Sequence, residues 1–267
     1  MALTNESDFS MIKIYLYTII QNNLLQMGVV GMDGFSTVGE RLTAKEFAYT
    51  EIKKQIIEGK LEPDIAIIEE TLATNLEISR TPLREALQRL EQEDLVIRQN
   101  NGRLKVAPLS IQEVKELFEV RAKLESIMVM QATENMTDKD ANKLTMIVNM
   151  IKETAKIGDV QDVLHYGTEF HGFIYALSRN KTVNKILSQL NDRIHRYQHL
   201  LPKNGIERFQ SSHKEHQIIL DYMKNGNKKS AQMAMESHIE NSLDAVVHAI
   251  WNQHQQTNKE GEKRNGE

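Results

Sequence analysis

The sequence predicts a mainly α-helical protein in two parts: a small module of three helices closed by a β-hairpin, then an antiparallel six-helix bundle. Three observations predict it. Only 4 Pro and 13 Gly occur in 267 residues, too few for a many-turned β-sandwich. Residues 111–253 carry apolar residues at helical spacing, with Pro202 their sole proline. Before them, the turn signal Asn101-Gly102 separates two short strand-like runs. The length fits about two domains, and 40% hydrophobic residues suffice for real cores, which excludes a disordered chain. The absence of Cys excludes a disulfide scaffold, a thiolate zinc site and a Cys nucleophile. A net charge of −4 requires any nucleic-acid site to be a local patch.

Residues 11–31 are fairly apolar, but Gln21, Asn22 and Asn23 interrupt them. No run reaches the ~18–20 apolar residues of a membrane span. Glu6 and Asp8 precede the apolar stretch and no basic residue comes before Lys13, so a secretory n-region is missing. The expectation is a cytoplasmic protein with no membrane partner. Met27 and Met32 are alternative starts, so residues 1–40 are read as an N-terminal extension whose place in the fold stays open.

The first module spans 41–108. Thr43-Ala44-Lys45-Glu46 is a capping-box pattern. Phe47, Ile52, Ile56 and Ile57 follow at helical spacing, and Gly59 is a stop. After Pro63 comes the β-branched run Ile65–Ile68, a short helix over Glu69–Leu76 and a turn at Glu77-Ile78. The next helix opens at Ser79-Arg80-Thr81-Pro82, with Ser79 or Thr81 as N-cap and Pro82 in the first turn. It runs to about Glu93 and buries Leu83, Ala86, Leu87 and Leu90. Thr81, Arg84 and Gln88 share the opposite side. Leu95–Arg98 and Arg103–Val106 form the hairpin around a two-residue turn. This order is a winged helix-turn-helix plan.

The second module spans 111–253, with helices near 111–135, 138–156, 160–178, 181–200, 207–225 and 227–253. Breaks fall at Thr137-Asp138, Gly158-Asp159, Arg179-Asn180, Pro202–Gly205 and Asn225-Gly226-Asn227. The polar residues 254–267 are expected to be a disordered tail. The methionines Met128, Met130, Met136, Met146 and Met150 read as core filling.

Reading DNA requires a helix in the major groove and side chains that reach base edges. Arg80 and Arg84 stand at the start of the proposed recognition helix, and Arg103 and Lys105 lie on the wing. Basic and acidic residues nearly balance over 41–110, so an amphipathic helix with solvated arginines is the competing reading. The words Thr71-Leu72-Ala73, Ser79 through Leu87, Arg89-Leu90-Glu91, Asp94-Leu95-Val96 and the Gly102 wing settle on a family. Pro63 through Val106 resembles the DNA-binding domain of GntR-family bacterial regulators. The resemblance implies base or phosphate contacts from Arg80 and Arg84, assisted by Thr81 and Gly102; Gln88, by its helix face, and Arg103, by its place on the wing, join them as candidates. Arg89 is left as a phosphate contact or an intramolecular ion pair. Glu77 and Asp94 depart from the family, which commonly has Gly at these positions.

His171, His216 and His238 fall on three different predicted helices, and a bundle can aim such side chains into one cavity. Neutral imidazole binds zinc, nickel and similar cations; structural histidines are the alternative. Val120 through Glu125, Phe170-His171-Gly172-Phe173-Ile174, Glu215 through Ile219 and Met235 through Ile239 resemble the FCD ligand-binding domain of the FadR subfamily, in its six-helix, VanR-type form. The resemblance implies a divalent metal, zinc or nickel, on His171, His216 and His238. It also implies a small organic acid effector, with Arg121 facing the effector carboxylate and Asn191 and Arg193 on the cavity wall; an interhelical ion pair, or a same-helix pair with Glu125, is the alternative for Arg121. The usual Asp ligand does not carry over, because Gly167 stands four residues before His171. The resulting expectation is a homodimeric regulator, not an enzyme, that binds double-stranded operator DNA with an inverted repeat. Two alternatives stay open: a metal-dependent hydrolase using a three-histidine site, and a DNA-binding protein with no effector.

Overall fold

The computed structural model describes residues 42–198 and 206–264. The apolar stretch at 11–31 and the break at Pro202–Gly205 lie outside the described residues.

Helix α1 (Ala44–Ile57) starts where the capping box was read: Thr43 and Glu46 cap one another reciprocally. Its buried stripe is Ala48, Ile52 and Ile56, spaced four apart, while Phe47 stays 43% exposed. The run after Pro63 forms strand β1 (Ala66–Ile67), and α2 (Glu69–Asn75) follows. Helix α3 (Arg80–Gln92) has Ser79 as its N-cap and buries Leu83, Ala86, Leu87 and Leu90, as their spacing predicts. Strands β2 (Val96–Arg98) and β3 (Leu104–Val106) make the wing. All three strands form one antiparallel sheet in the order β1-β3-β2. This winged helix-turn-helix has its own core, which joins α1, α2, α3 and the sheet.

The wing corrects one expectation. Arg98 pairs with Leu104, and the Gln99 N–H donates to the Arg103 carbonyl at 2.8 Å. The connection is therefore Asn100-Asn101-Gly102, three residues rather than two. Gly102 sits at φ +79°, the left-handed place that closes such a loop.

The six later helices are α4 (Ile111–Asn135), α5 (Asp138–Ile157), α6 (Val160–Ser178), α7 (Lys181–Gln198), α8 (Ile206–Lys224) and α9 (Lys228–Arg264). Ser110, Thr137 and Asp159 accept backbone N–H bonds at the starts of α4, α5 and α6. Gly158, at φ +80°, ends α5 and turns the chain into α6. Helix α4 packs on α9, α6 and α7; α5 packs on α6 and α8. One continuous apolar core, including Phe118, Met128, Leu144, Phe170, Ile194 and Ile239, holds the bundle together. The disordered tail is corrected: α9 continues through the polar stretch to Arg264. Gln, Lys and Glu propagate a helix well, and no Pro stops this one.

Candidate DNA-reading face and metal centre

Helix α3 is amphipathic, so burying its leucines turns Arg80, Thr81, Arg84 and Gln88 to solvent. Arg80 Nη2 lies 2.8 Å from Glu70 and Arg84 Nε lies 2.7 Å from Glu69, both acids on α2. The arginine side chains remain 59% and 65% exposed. Such exposed pairs are worth about 0–1 kcal/mol and give way readily to phosphate or guanine. Gln88 and Arg84 border a groove whose far side is Arg98 and Leu104 of the wing. Gly102 and Arg103 are exposed at the wing tip. Arg98 binds Glu91 of α3 through two nitrogens and donates to the Gly102 carbonyl, which braces the wing against the helix. Arg89 resolves as an internal contact: it stacks 3.6 Å over the Tyr49 ring and pairs with Glu93. Lys105 pairs with Asp64.

The three histidines do meet. His171 comes from α6, His216 from α8 and His238 from α9; all are buried, and one ring nitrogen of each lies within 4.8 Å of the others. The Nδ1 atoms are all engaged. His171 Nδ1 meets Glu125 at 2.5 Å, His238 Nδ1 meets Glu215 at 2.7 Å, and His216 Nδ1 donates to the Ser212 carbonyl at 2.7 Å. That leaves Nε2 of each ring turned inward. His171 and His238 bring theirs within 3.2 Å, and His216 Nε2 is buried with no hydrogen-bond partner. Burial drives the His216 pKa well below its usual value and that of His238 down to about 4, so both are neutral. A buried orphan nitrogen facing two further inward-turned imidazole nitrogens, each ring oriented from behind by an oxygen, suits a divalent cation such as zinc.

A cavity of about 310 Å³ opens beside this cluster. Arg121 and Asn191 line it, as expected. Arg121 also spends its Nε on Glu125 at 2.6 Å. Burial opposes ionisation of Glu125, but His171 and Arg121 hold it well below the usual carboxylate range. Gly167 lies on the cavity wall with open space where a Cβ would be, so this side of the cluster is unobstructed. Arg193 corrects the expectation. It is absent from the cavity wall and pairs with Glu113 at 2.6 Å and Asp94 at 2.9 Å. Two residues from Asn191 on one helix, it points about 200° away.

Residues 44–106 match the family of bacterial regulatory proteins of the gntR type, and residues 116–241 match the FCD domain. The chain belongs to the GntR family. It is a DNA-binding transcriptional regulator with an FCD domain. It is 28% identical to the HTH-type transcriptional regulator YdhC of Bacillus subtilis over 213 residues, 76% of this chain and 90% of that protein. It is 24% identical to the gluconate operon transcriptional repressor of Bacillus licheniformis over 221 residues, covering 80% and 89% of the two chains. The fold matches that of Escherichia coli McbR/YncC with a TM-score of 0.66 at 21% identity, over 78% of this chain and 99% of that one. These relatives are regulators, not enzymes, so the hydrolase alternative falls.

The departures from the family pattern now have a local meaning. Glu77 and Asp94 adopt φ +54° and +57°, the left-handed conformation that Gly takes without strain. Sequence reasoning offered Glu125 only as a same-helix partner of Arg121, a pair the structure does form, and missed its place, with Glu215 and Ser212, behind the histidines. Glu215 is adjacent to His216, yet it serves His238; Glu125 sits one helical turn after Arg121. The only signal for Glu125 and Glu215 was their place inside the matching words; Ser212 lies outside them and acts through its backbone carbonyl. Among the described residues, no helix is long and apolar enough to cross a membrane.

Proposed function

We propose that this GntR regulator acts as a homodimer on an inverted-repeat operator, with an affinity set by a small organic acid bound in the cavity beside a divalent cation. The cation, zinc or nickel, is held by Nε2 of His171, His216 and His238. One observation carries the reading: three inward-facing imidazoles, each fixed by an oxygen on its other nitrogen, stand at the wall of a cavity of about 310 Å³. Bound there, the cation supplies a positive charge with an open position for a carboxylate oxygen. Arg121 and Arg208 add positive charge to the same wall. On the DNA side, Arg80, Thr81, Arg84 and Gln88 enter the major groove, and Gly102 and Arg103 take the flanking backbone. The effector shifts operator affinity only by as much as it favours one arrangement over another. Repression relieved by the acid is the mode we assign.

The test is direct. Metal-stripped protein should regain thermal stability with zinc or nickel, and His216→Ala should lose that gain. With metal present, an organic acid from a screened panel should change operator affinity. A wild-type protein that gains nothing from metal, and whose operator affinity no acid changes, is a DNA-binding protein without an effector, and the proposal fails.

A further inference from the structure

Two ion pairs tie α7 to the end of the recognition helix. Asp192 lies 2.6 Å from Lys53 of α1, and the same Lys53 ammonium holds Glu93 at 2.8 Å. Arg193 lies 2.9 Å from Asp94. Glu93 is the C-cap of α3 and Asp94 is the next residue. Consecutive residues of α7 thus grip consecutive residues at the end of α3, one directly and one through Lys53. The following turn of α7 fixes the segment between the modules. Arg196, fully buried, donates to the Ala107 carbonyl. Tyr197 donates to Glu113 at 2.7 Å and accepts from the Ser110 N–H at 3.2 Å.

The other side of α7 faces the cavity. Asn184, Ser188, Asn191 and His195, spaced four, three and four apart, form one stripe along its wall, and Asp192 borders it. Arg193 lies across the helix from that stripe and Arg196 on its flank. The junction with α3 is open: a cleft of about 210 Å³ lies between Glu93, Asp94, Ile186, Leu190 and Arg193. Ion pairs border this cleft on both sides.

We infer that Asp192 and Arg193 are positioning residues for DNA recognition: through Lys53 and Asp94 they set the tilt of α3 and so the aim of Arg80 and Arg84. The leverage is large. Thirteen helical residues span roughly 20 Å, so a tilt of about 5° at one end moves the other by roughly 2 Å, enough to break hydrogen-bond geometry. That α7 also transmits cavity occupancy rests on the effector reading above; the positioning role does not.

The experiment uses full-length protein with no metal or acid added, and a duplex that the wild type selects from a random library. The readout is the affinity for that duplex divided by the affinity for random DNA. Two double-mutant cycles are measured: Arg193→Gln with Asp94→Asn, and Lys53→Met with Asp192→Asn. Each single change should lower the ratio at least about fivefold, and each double should lose no more than its worse single, as expected for one shared interaction. Arg193→Lys should keep most of the ratio. Ratios within twofold of wild type, or losses that simply add, overturn the inference. So does a fall in melting temperature with the ratio intact, which marks a structural role alone. A failed effector reading leaves this result untouched.

Discussion

Glu125→Gln isolates what one buried charge does for the whole centre. Glu125 is 0% exposed, and its two oxygens serve Arg121, 8% exposed, and His171. The amide keeps the shape and removes the charge. Removing one partner of a buried ion pair typically costs about 3–5 kcal/mol; we expect about 3, because the amide oxygen still accepts from Arg121. At about 2–4 °C per kcal/mol for a chain near this size, metal-free protein should melt roughly 6–12 °C lower. The second effect is on the cation. Losing an oxygen behind a ligating His typically costs about 10–100-fold in metal affinity. At zinc one hundred times the wild-type Kd, wild type gains about 2.7 kcal/mol. The variant should gain only about 0.4–1.4 kcal/mol at that same zinc concentration. Calorimetric melts with and without zinc measure both terms. A variant that gains as much from zinc as wild type would refute the orienting role of Glu125.

Arg84→Ala should leave folding intact and reduce discrimination between operator and random duplex by about 1–3 kcal/mol, read by competition binding; unchanged discrimination removes Arg84 from the reading face. Glu77→Gly should stabilise the protein by about 0.5–1 kcal/mol, since relief of roughly 1–2 kcal/mol of left-handed strain exceeds the added chain entropy of about 0.5–1 kcal/mol. Gly102→Ala, at φ +79° with nothing within 4 Å of the new Cβ, should move the urea midpoint the opposite way. The pH dependence follows from Glu93 and Lys53. Burial opposes ionisation of Glu93, yet hydrogen bonds from Lys53 and Tyr49 hold it below the ordinary 4.5. Its contribution is therefore present above pH 4.5 and lost as pH falls below it. Burial likewise opposes the charge on Lys53, but Asp192, Glu93 and Tyr49 raise it above the ordinary 10.5, so its contribution is present below that pH and lost above. Between pH 5 and 3 the melting temperature should fall less in Lys53→Met than in wild type; parallel falls would show that Lys53 does not hold Glu93.

Much of the local structure was legible because its causes are local. Thr43 and Glu46 cap α1 by reaching three residues, and the Leu83–Leu90 stripe buries itself by period alone. The histidine trio was legible through spacing on three helices and through family resemblance. Failures had long-range or competing causes. The wing loop gained a residue because Gly102 accepts a left-handed turn that closes three residues as well as two. The polar tail continued as helix because propensity favours it.

The helices, the wing, the exposed arginines and the histidines follow from neighbours within a few positions or from a periodic pattern, and so could be read along the chain. Helix packing alone puts Glu125 and Glu215 behind His171 and His238, and turns Asn191 to a cavity while Arg193 faces Asp94. Those pairings join residues 23 to 99 positions apart, and no spacing rule reaches that far. They are set by which helix packs on which, a property of the bundle as a whole.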